Sequence, residues 1–197
     1  MYVIYGKRIL DICVALVLLI VSLPITFSAA LLIVFNMGRP IWFCQTRPGQ
    51  NKTQFIIIKF RTMNAKRKST ELDEERITLI GKLIRKFSVD ELPQLINVLK
   101  GDMSLVGPRP LLTEYNDLFS DQQLKRFVVK PGITGWAQVN GRNQLSWEEK
   151  LQLDVFYVNN ISLALDVKIL LKTIWVVLGS VGFKPSGEEE KFSGNNG

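Results

Sequence analysis

The chain contains no histidine. Without imidazole there is no Ser-His-Asp or Cys-His nucleophile system, no histidine base and no His-ligated zinc. Any chemistry must run on carboxylates, lysine, arginine, hydroxyls or thiols. Cysteine is scarce too: Cys13 lies inside an apolar stretch and Cys44 just after it. That pair excludes a disulfide framework and fits a cytosol-facing protein. Internal repeats are absent, and no RNA- or DNA-binding signature accompanies the net charge of +7. A nucleic-acid partner is therefore not expected.

Charge itself is missing from one long stretch, since Ile12 to Phe35 is 24 residues without a charged side chain. The basic excess surrounds it. Residues 1–63 hold seven Lys or Arg against the single acid Asp11, whereas the rest of the chain is close to balance, with 18 basic and 17 acidic residues. Basic residues beside an apolar segment are drawn to anionic lipid head groups by about 1 kcal/mol each.

A helix of that length would be about 36 Å long, enough to cross a hydrocarbon core of about 30 Å. Pro24 falls in its middle, where it deletes a backbone hydrogen bond and kinks the helix. Basic residues also sit on both flanks: Lys7 and Arg8 before, Arg39, Arg47 and Lys52 after. The positive-inside rule expects them on one side only. A re-entrant helix that bends at Pro24 and returns to the same face satisfies both observations, with Ser22 placed to serve backbone groups freed by the kink. A plain span and a cleaved signal core are the alternatives.

At 197 residues the chain is one domain with enough residues to bury a core. The expected fold class is α+β, mostly helical with short strands. Residues 1–39 form the membrane insert, 40–183 a cytosolic lobe with surface-lying amphipathic helices, and 184–197 a disordered tail. Ile41–Phe43 and Phe55–Phe60 read as strands around the turn Arg47-Pro48-Gly49-Gln50-Asn51. Lys66–Arg76 reads as a charged loop or frayed helix. Helical spacing covers Ile77–Lys86 and Leu92, Leu95, Ile96 and Leu99, with Gly101 as a stop and a loop from Met103 to Pro110. Glu114–Val128 reads as helix, and Asn140-Gly141 as a hairpin signal. Ser146 with Glu149 makes a capping box. Asp166 is expected to cap a last helix with the apolar face Val167, Leu170, Leu171, Ile174, Trp175 and Leu178, beside Lys168 and Lys172. That helix packs on the core or lies at the membrane surface. Trp136 and Trp147 are read as core fillers.

Two clusters of residue types invite chemistry. Asp90-Glu91 reads first as a helix cap, with Pro93 in the first turn, or with Ser88 and Glu91 as a capping box. Two adjacent carboxylates pointing about 100° apart can also divide labour, one as nucleophile and one holding a divalent cation. In Gly107-Pro108-Arg109-Pro110, two prolines preorganise a guanidinium that can fork onto phosphate oxygens. Lys59 and Arg61 share a strand face, and Arg85 adds a further cation. Gln138, Asn140 and Arg142 lie in a turn-rich segment able to line a pocket.

At these residues the sequence resembles a known family. Arg47-Pro48-Gly49, Lys59-Phe60-Arg61-Thr62-Met63, Asp90-Glu91-Leu92-Pro93-Gln94, Gly107-Pro108-Arg109-Pro110, Pro131-Gly132-Ile133-Thr134-Gly135 and Gln138-Val139-Asn140-Gly141-Arg142 occur in the order found in bacterial sugar transferases, the monotopic phosphoglycosyl transferases. The likeness runs from about Lys7 to Leu178, and Leu23 stands where relatives often carry serine. It implies Asp90 as nucleophile, Glu91 as a ligand of Mg²⁺, a re-entrant helix, a UDP-sugar donor and undecaprenyl phosphate as acceptor. It places the protein at the bacterial plasma membrane with its lobe on the cytoplasmic face. Phosphate binding would fall to Arg109, Lys59 and Arg85, and the nucleotide pocket to Arg142, Gln138 and Asn140. The competing class is a non-catalytic membrane-surface binding protein.

Overall fold

The structure, a computed structural model, describes residues 2–65, 73–180, 182 and 192–194. The segments 66–72 and 183–191, which carry part of the expected charged loop and most of the expected tail, lie outside the described residues. Helix α1 (Lys7–Met37) follows a π-helical turn at Tyr2–Gly6. A hairpin of β1 (Trp42–Pro48) and β2 (Gln54–Phe60) comes next, antiparallel with Trp42 opposite Phe60. Then follow α2 (Asp73–Arg76), α3 (Leu79–Lys86), α4 (Gln94–Lys100), β3 (Ser104–Val106), α5 (Asp121–Leu124), β4 (Gly132–Thr134), α6 (Trp136–Val139), α7 (Trp147–Asn159) and α8 (Leu163–Leu178). The expected mixture of helices and short strands holds.

Helix α1 is long and apolar enough to cross a membrane by length and composition. It passes through Pro24 as one element, so the expected bend does not divide it. Near the proline, Ser22 Oγ donates to the Leu19 carbonyl, Thr26 Oγ1 to Leu23 and Ser28 Oγ to Pro24. One narrow stripe faces the lobe: Asp11, Ala15, Ser22, Ala29 and Ile33 are buried. Much of its other surface is bare, with Val17, Ile20, Val21, Leu23, Phe27 and Phe35 all exposed. In water those side chains would forgo on the order of 10 kcal/mol of burial energy.

Both ends of α1 are tied to the same lobe. At its start, Arg8 donates to the carbonyls of Val98 and Leu99, and Asp11 accepts from the Ser104 hydroxyl and the Leu105 amide. At its end, Ala29 and Ile33 pack with Phe60 and Ile84, and Arg61 donates to the Met37 and Gly38 carbonyls. The main core lies between, built from Ala15, Leu95, Val98, Met103, Leu105, Tyr157 and Ile169.

Several expectations need correction. Asp166 does not cap α8; Ser162 does, its hydroxyl accepting from the Leu165 amide. Asp166 lies a turn further in, fully buried, where Lys7, Tyr2 and Tyr157 donate to it. A buried carboxylate needs such partners, and two of the three, Tyr2 and Lys7, come from the far end of the sequence. Glu114–Val128 is broken into 3₁₀ turns at Thr113–Tyr115 and Lys125–Val128 around the short α5, because its side chains serve an aromatic cluster. Met103–Pro110 contains β3, which pairs parallel with β4. Asn140-Gly141 makes no hairpin; it ends α6 and opens a 3₁₀ turn at Arg142–Gln144. Of the tail expected to be disordered, residues 192–194 are described. Phe192 is buried among Tyr115, Phe119 and Trp147, which supply the apolar partners that its polar neighbours in sequence lack. The Ser146–Glu149 capping box and the Gly101 stop, at φ 93°, are as expected.

Candidate active site

The α3–α4 connection carries the paired carboxylates. α3 ends at Phe87, Ser88 turns left-handed at φ 55°, and Val89–Glu91 form a 3₁₀ turn. The N-cap of α4 is Pro93, and it makes no side-chain cap. Asp90 is therefore not a helix cap, and Ser88 makes no capping bond. The capping reading fails because the left-handed Ser88 opens a separate 3₁₀ turn, whose backbone amides at Glu91 and Leu92 are met by the Ser88 and Val89 carbonyls, and α4 starts only after Pro93.

With no capping task, the carboxylates face cations delivered by other elements. Lys59, near the end of β2, donates to Glu91 Oε1 at 2.7 Å. Arg109 donates to the same oxygen at 2.6 Å. Arg109 reaches it from the loop after β3, where the chain passes very close to β4. A Cβ on Gly132 would stand 2.1 Å from the Gly107 nitrogen, so only glycine allows the approach. Behind the loop, Arg126 donates to the Arg109 carbonyl at 2.7 Å and pairs with Asp154 at 2.8 Å. Both of those side chains are buried. Arg85 donates through Nε to Thr62 Oγ1 at 2.8 Å. Arg142, left-handed at φ 52°, donates to Ser88 Oγ at 3.0 Å.

These groups line one cavity of about 1140 Å³. Its polar part holds Asp90, Glu91, Lys59, Arg85, Arg109 and Arg142, and its apolar part reaches Leu18 of α1 and Val176 of α8. The electrostatics separate the two acids. Burial and the neighbouring Glu91 charge push Asp90 up to about 6, against the pull of Lys59, Arg85 and Arg109. Glu91 is also penalised by burial, but Arg109 and Lys59 hold it far below the usual carboxylate range. Adjacent acids thus acquire different jobs: one permanently charged, one poised near neutrality. The cavity also has cationic charge to spare. Burial and the neighbouring Arg109 push Arg47 down to about 10, and burial and Arg109 lower Arg142 despite Glu91 and Asp90. Such a site favours an anion.

Of the candidates named from sequence, Lys59, Arg85, Asp90, Glu91, Arg109, Gln138 and Arg142 meet on this cavity. Asn140 does not line it; its amide donates to the Trp136 carbonyl and its oxygen accepts from Lys172. Pro24 and Ser22 lie on α1, away from the carboxylates. Arg61, named from sequence only as a cation sharing a strand face with Lys59, also lines the cavity, as do Arg47 and Arg126, to which sequence reasoning assigned no site role. Arg47 and Arg61 stood inside recognised motifs, a signal that was there to use. Arg126 carried none, because its partner Asp154 is 28 residues away.

A protein-family model described as bacterial sugar transferase matches residues 2–180. The chain belongs to that family. This sugar transferase is 49% identical over 194 residues to the uncharacterized sugar transferase EpsL of Bacillus subtilis, covering 96% of each chain. It is 38% identical over 181 residues to the UDP-glucose:undecaprenyl-phosphate glucose-1-phosphate transferase of Caulobacter vibrioides, covering 85% of this chain and 68% of that protein. A UDP-N-acetylgalactosamine-undecaprenyl-phosphate N-acetylgalactosaminephosphotransferase of Aeromonas hydrophila is 39% identical over 187 residues, 89% of this chain. The sugar transferase spans only 44% of that longer relative.

Among the described residues no group of three or more acids or cysteines could hold a metal ion. Glu91 still supplies hard carboxylate oxygen of the kind Mg²⁺ takes, since that ion binds through one or two carboxylates and completes its shell with water and substrate phosphates.

Proposed function

We propose that this sugar transferase moves a sugar-1-phosphate from a UDP-sugar to undecaprenyl phosphate, through a covalent intermediate on Asp90. The observation that carries the reading is one carboxylate, not engaged as a cap, facing Lys59, Arg85, Arg109 and Arg142 in a cavity that runs on into apolar walls. A surface-binding protein needs no such arrangement. The relatives from Caulobacter and Aeromonas bear names stating the same transfer.

At pH 7 a carboxyl of pKa about 6 is mostly ionised, so Asp90 can attack without a histidine base. One of its oxygens bonds to the phosphorus that bears the sugar, and the bond from that phosphorus to the bridging oxygen breaks. UMP leaves with that oxygen. Arg109 and Lys59 neutralise charge on the diphosphate as it shifts, and Arg85 and Arg142 hold its remaining oxygens or the nucleotide. Glu91 would hold Mg²⁺, which supplies further charge neutralisation when bound. An oxygen of the lipid phosphate then attacks the phosphorus and frees the Asp90 carboxylate, giving polyprenyl-diphosphate-sugar. Splitting the transfer lets a water-soluble donor and a buried lipid use one site in turn.

Membrane attachment is part of the proposal. Asp11 and Ile33 are about 33 Å apart along a helix, yet both are buried against the one lobe. A helix crossing the bilayer would put those ends on opposite faces, with the lobe in hydrocarbon. Re-entry from the cytoplasmic side, eased at Pro24, keeps the lobe in water. The exposed Val167, Leu171, Ile174, Trp175 and Leu178 of α8, beside Lys168 and Lys172, suit the same surface.

The test is a panel of UDP-sugars with undecaprenyl phosphate and Mg²⁺, read as UMP release. Turnover on at least one donor, lost in EDTA and restored by Mg²⁺, supports the reading. No UMP from any donor overturns the reaction, and full turnover in chelator overturns the metal role.

A further inference from the structure

We infer that Gly182 and Phe192 are positioning residues for Arg142, two contacts that together clasp the donor site's wall. This rests on the transfer reading above for its activity readouts.

The first point is a close approach. Gly182, at φ 64°, lies against the turn that presents Arg142. A Cβ there would stand 2.6 Å from the Gly141 carbonyl oxygen and 3.2 Å from Arg142 Cβ. Only glycine fits that backbone angle and that gap.

The second point is the ring of Phe192, 5.3 Å from Phe119, 5.3 Å from Trp147 and 5.7 Å from Tyr115. It is 5% exposed. Gly194 continues along the Leu118 backbone. Tyr115 and Trp147 are wall residues of the cavity, so the ring sits behind that wall.

The two contacts bracket residues 141–147 in space. Arg142 opens that stretch and Trp147 closes it, and both line the cavity. At its far end the stretch is held by the Ser146–Glu149 capping box and the packing of Trp147 on Tyr115. Between α6 and the capped start of α7 its regular structure among the described residues is the 3₁₀ turn Arg142–Gln144, and Arg142 itself carries a left-handed backbone. A left-handed non-glycine residue persists only where its surroundings over-determine it. The Ser88 bond supplies one constraint and the close approach of Gly182 another. Phe192 belongs to a polar stretch, Glu188-Glu189-Glu190-Lys191-Phe192-Ser193-Gly194, with no apolar neighbour nearer than Phe183. Its burial therefore reflects a match with the aromatic pocket, not a general tendency of the tail to collapse.

The experiment uses the full chain in detergent or nanodiscs, comparing wild type, Phe192→Ala, Phe192→Trp and Gly182→Ala, plus a chain ending after Gly182. The readouts are KM for the UDP-sugar, kcat, and amide hydrogen exchange over 141–147. Phe192→Ala and the shortened chain should raise donor KM about tenfold, since a small misplacement of a binding group is costly. Exchange over 141–147 should rise while α4 and α7 stay protected. Phe192→Trp should restore both, and Gly182→Ala should mimic the loss. A synthetic peptide of residues 184–197 added to the shortened chain should lower KM again. Unchanged KM and exchange in Phe192→Ala overturn the clasp. A rise in exchange throughout the molecule, with no selective effect at 141–147, also overturns it. If wild type releases no UMP, the transfer reading fails; the exchange comparison still decides the clasp.

Discussion

Ser88 and Arg142, 54 residues apart in sequence, both hold left-handed backbones and are joined by a hydrogen bond of 3.0 Å two residues before the paired acids. Each such backbone costs of order 1–3 kcal/mol unless it is glycine. Their meeting beside Asp90 marks strain concentrated where the chemistry is placed. Ser88→Ala keeps the strain and loses the bond to a charged donor, so it should destabilise by about 1–3 kcal/mol. Ser88→Gly loses the same bond but relieves the strain, so it should melt closer to wild type. Thermal unfolding of the two variants side by side checks the order; equal melting would remove strain at Ser88 from the account.

Asp90 should show a trade between stability and activity. Its folded pKa of about 6 lies above the ordinary 3.8, so the folded state binds a proton that the unfolded state has released. Stability from this group is intact below about pH 4 and falls as pH rises toward 6. Asp90→Asn removes that penalty and should be more stable than wild type at pH 7, by up to about 3 kcal/mol. The gap should close at pH 4. Turnover should be lost in the same variant.

The rate of wild type should follow the same group in the opposite sense. Below about pH 6 protonation of Asp90 should cut UMP release about tenfold per pH unit. Lys59→Met removes one of the charges that favour the ionised form. The acid limb of its profile should move upward, by about one unit. An unmoved limb would assign it to another group.

The Arg126–Asp154 pair should be worth more than any surface bridge, because both partners are buried. Asp154→Ala leaves an uncompensated guanidinium and should cost about 3–5 kcal/mol. It also frees the carbonyl anchor of Arg109, so kcat should drop in molecules that remain folded. Denaturant unfolding and UMP release on the same preparation measure the two effects.

What was legible in the sequence follows the range of the interactions involved. The apolar run of α1, the Ser146–Glu149 box and the Gly101 stop are set by neighbours within a turn or two, and they were readable. Asp166 was misread as a cap because its partners, Tyr2, Lys7 and Tyr157, come from three other helical segments. The short parallel pair of β3 and β4 leaves no period in three-residue strands. At the site, residue types at motif spacing identified Lys59, Asp90, Glu91 and Arg109. Asn140 shared a motif with Gln138 and Arg142, yet the turn after α6 sends it outward to Lys172. Arg126 was missed because a buried ion pair has no local signature. Phe192 was missed because one aromatic in a polar tail reads as disorder.

Topology provides an independent check. Cysteine labelling in sealed vesicles should place the N-terminus and the lobe on the same, cytoplasmic face. Pro24→Leu should straighten α1 and shift part of the population toward a spanning state. An N-terminus reachable only from the other face would restore the plain transmembrane helix.

The central claim is the bond between Asp90 and phosphorus. Wild-type enzyme given UDP-sugar and Mg²⁺ without lipid acceptor should release one UMP per enzyme and gain the mass of one phosphosugar, mapped by peptide mass spectrometry to Asp90. Asp90→Asn should give neither. UMP release that still requires lipid, with no adduct at Asp90, would contradict the account and point to direct transfer between two bound substrates.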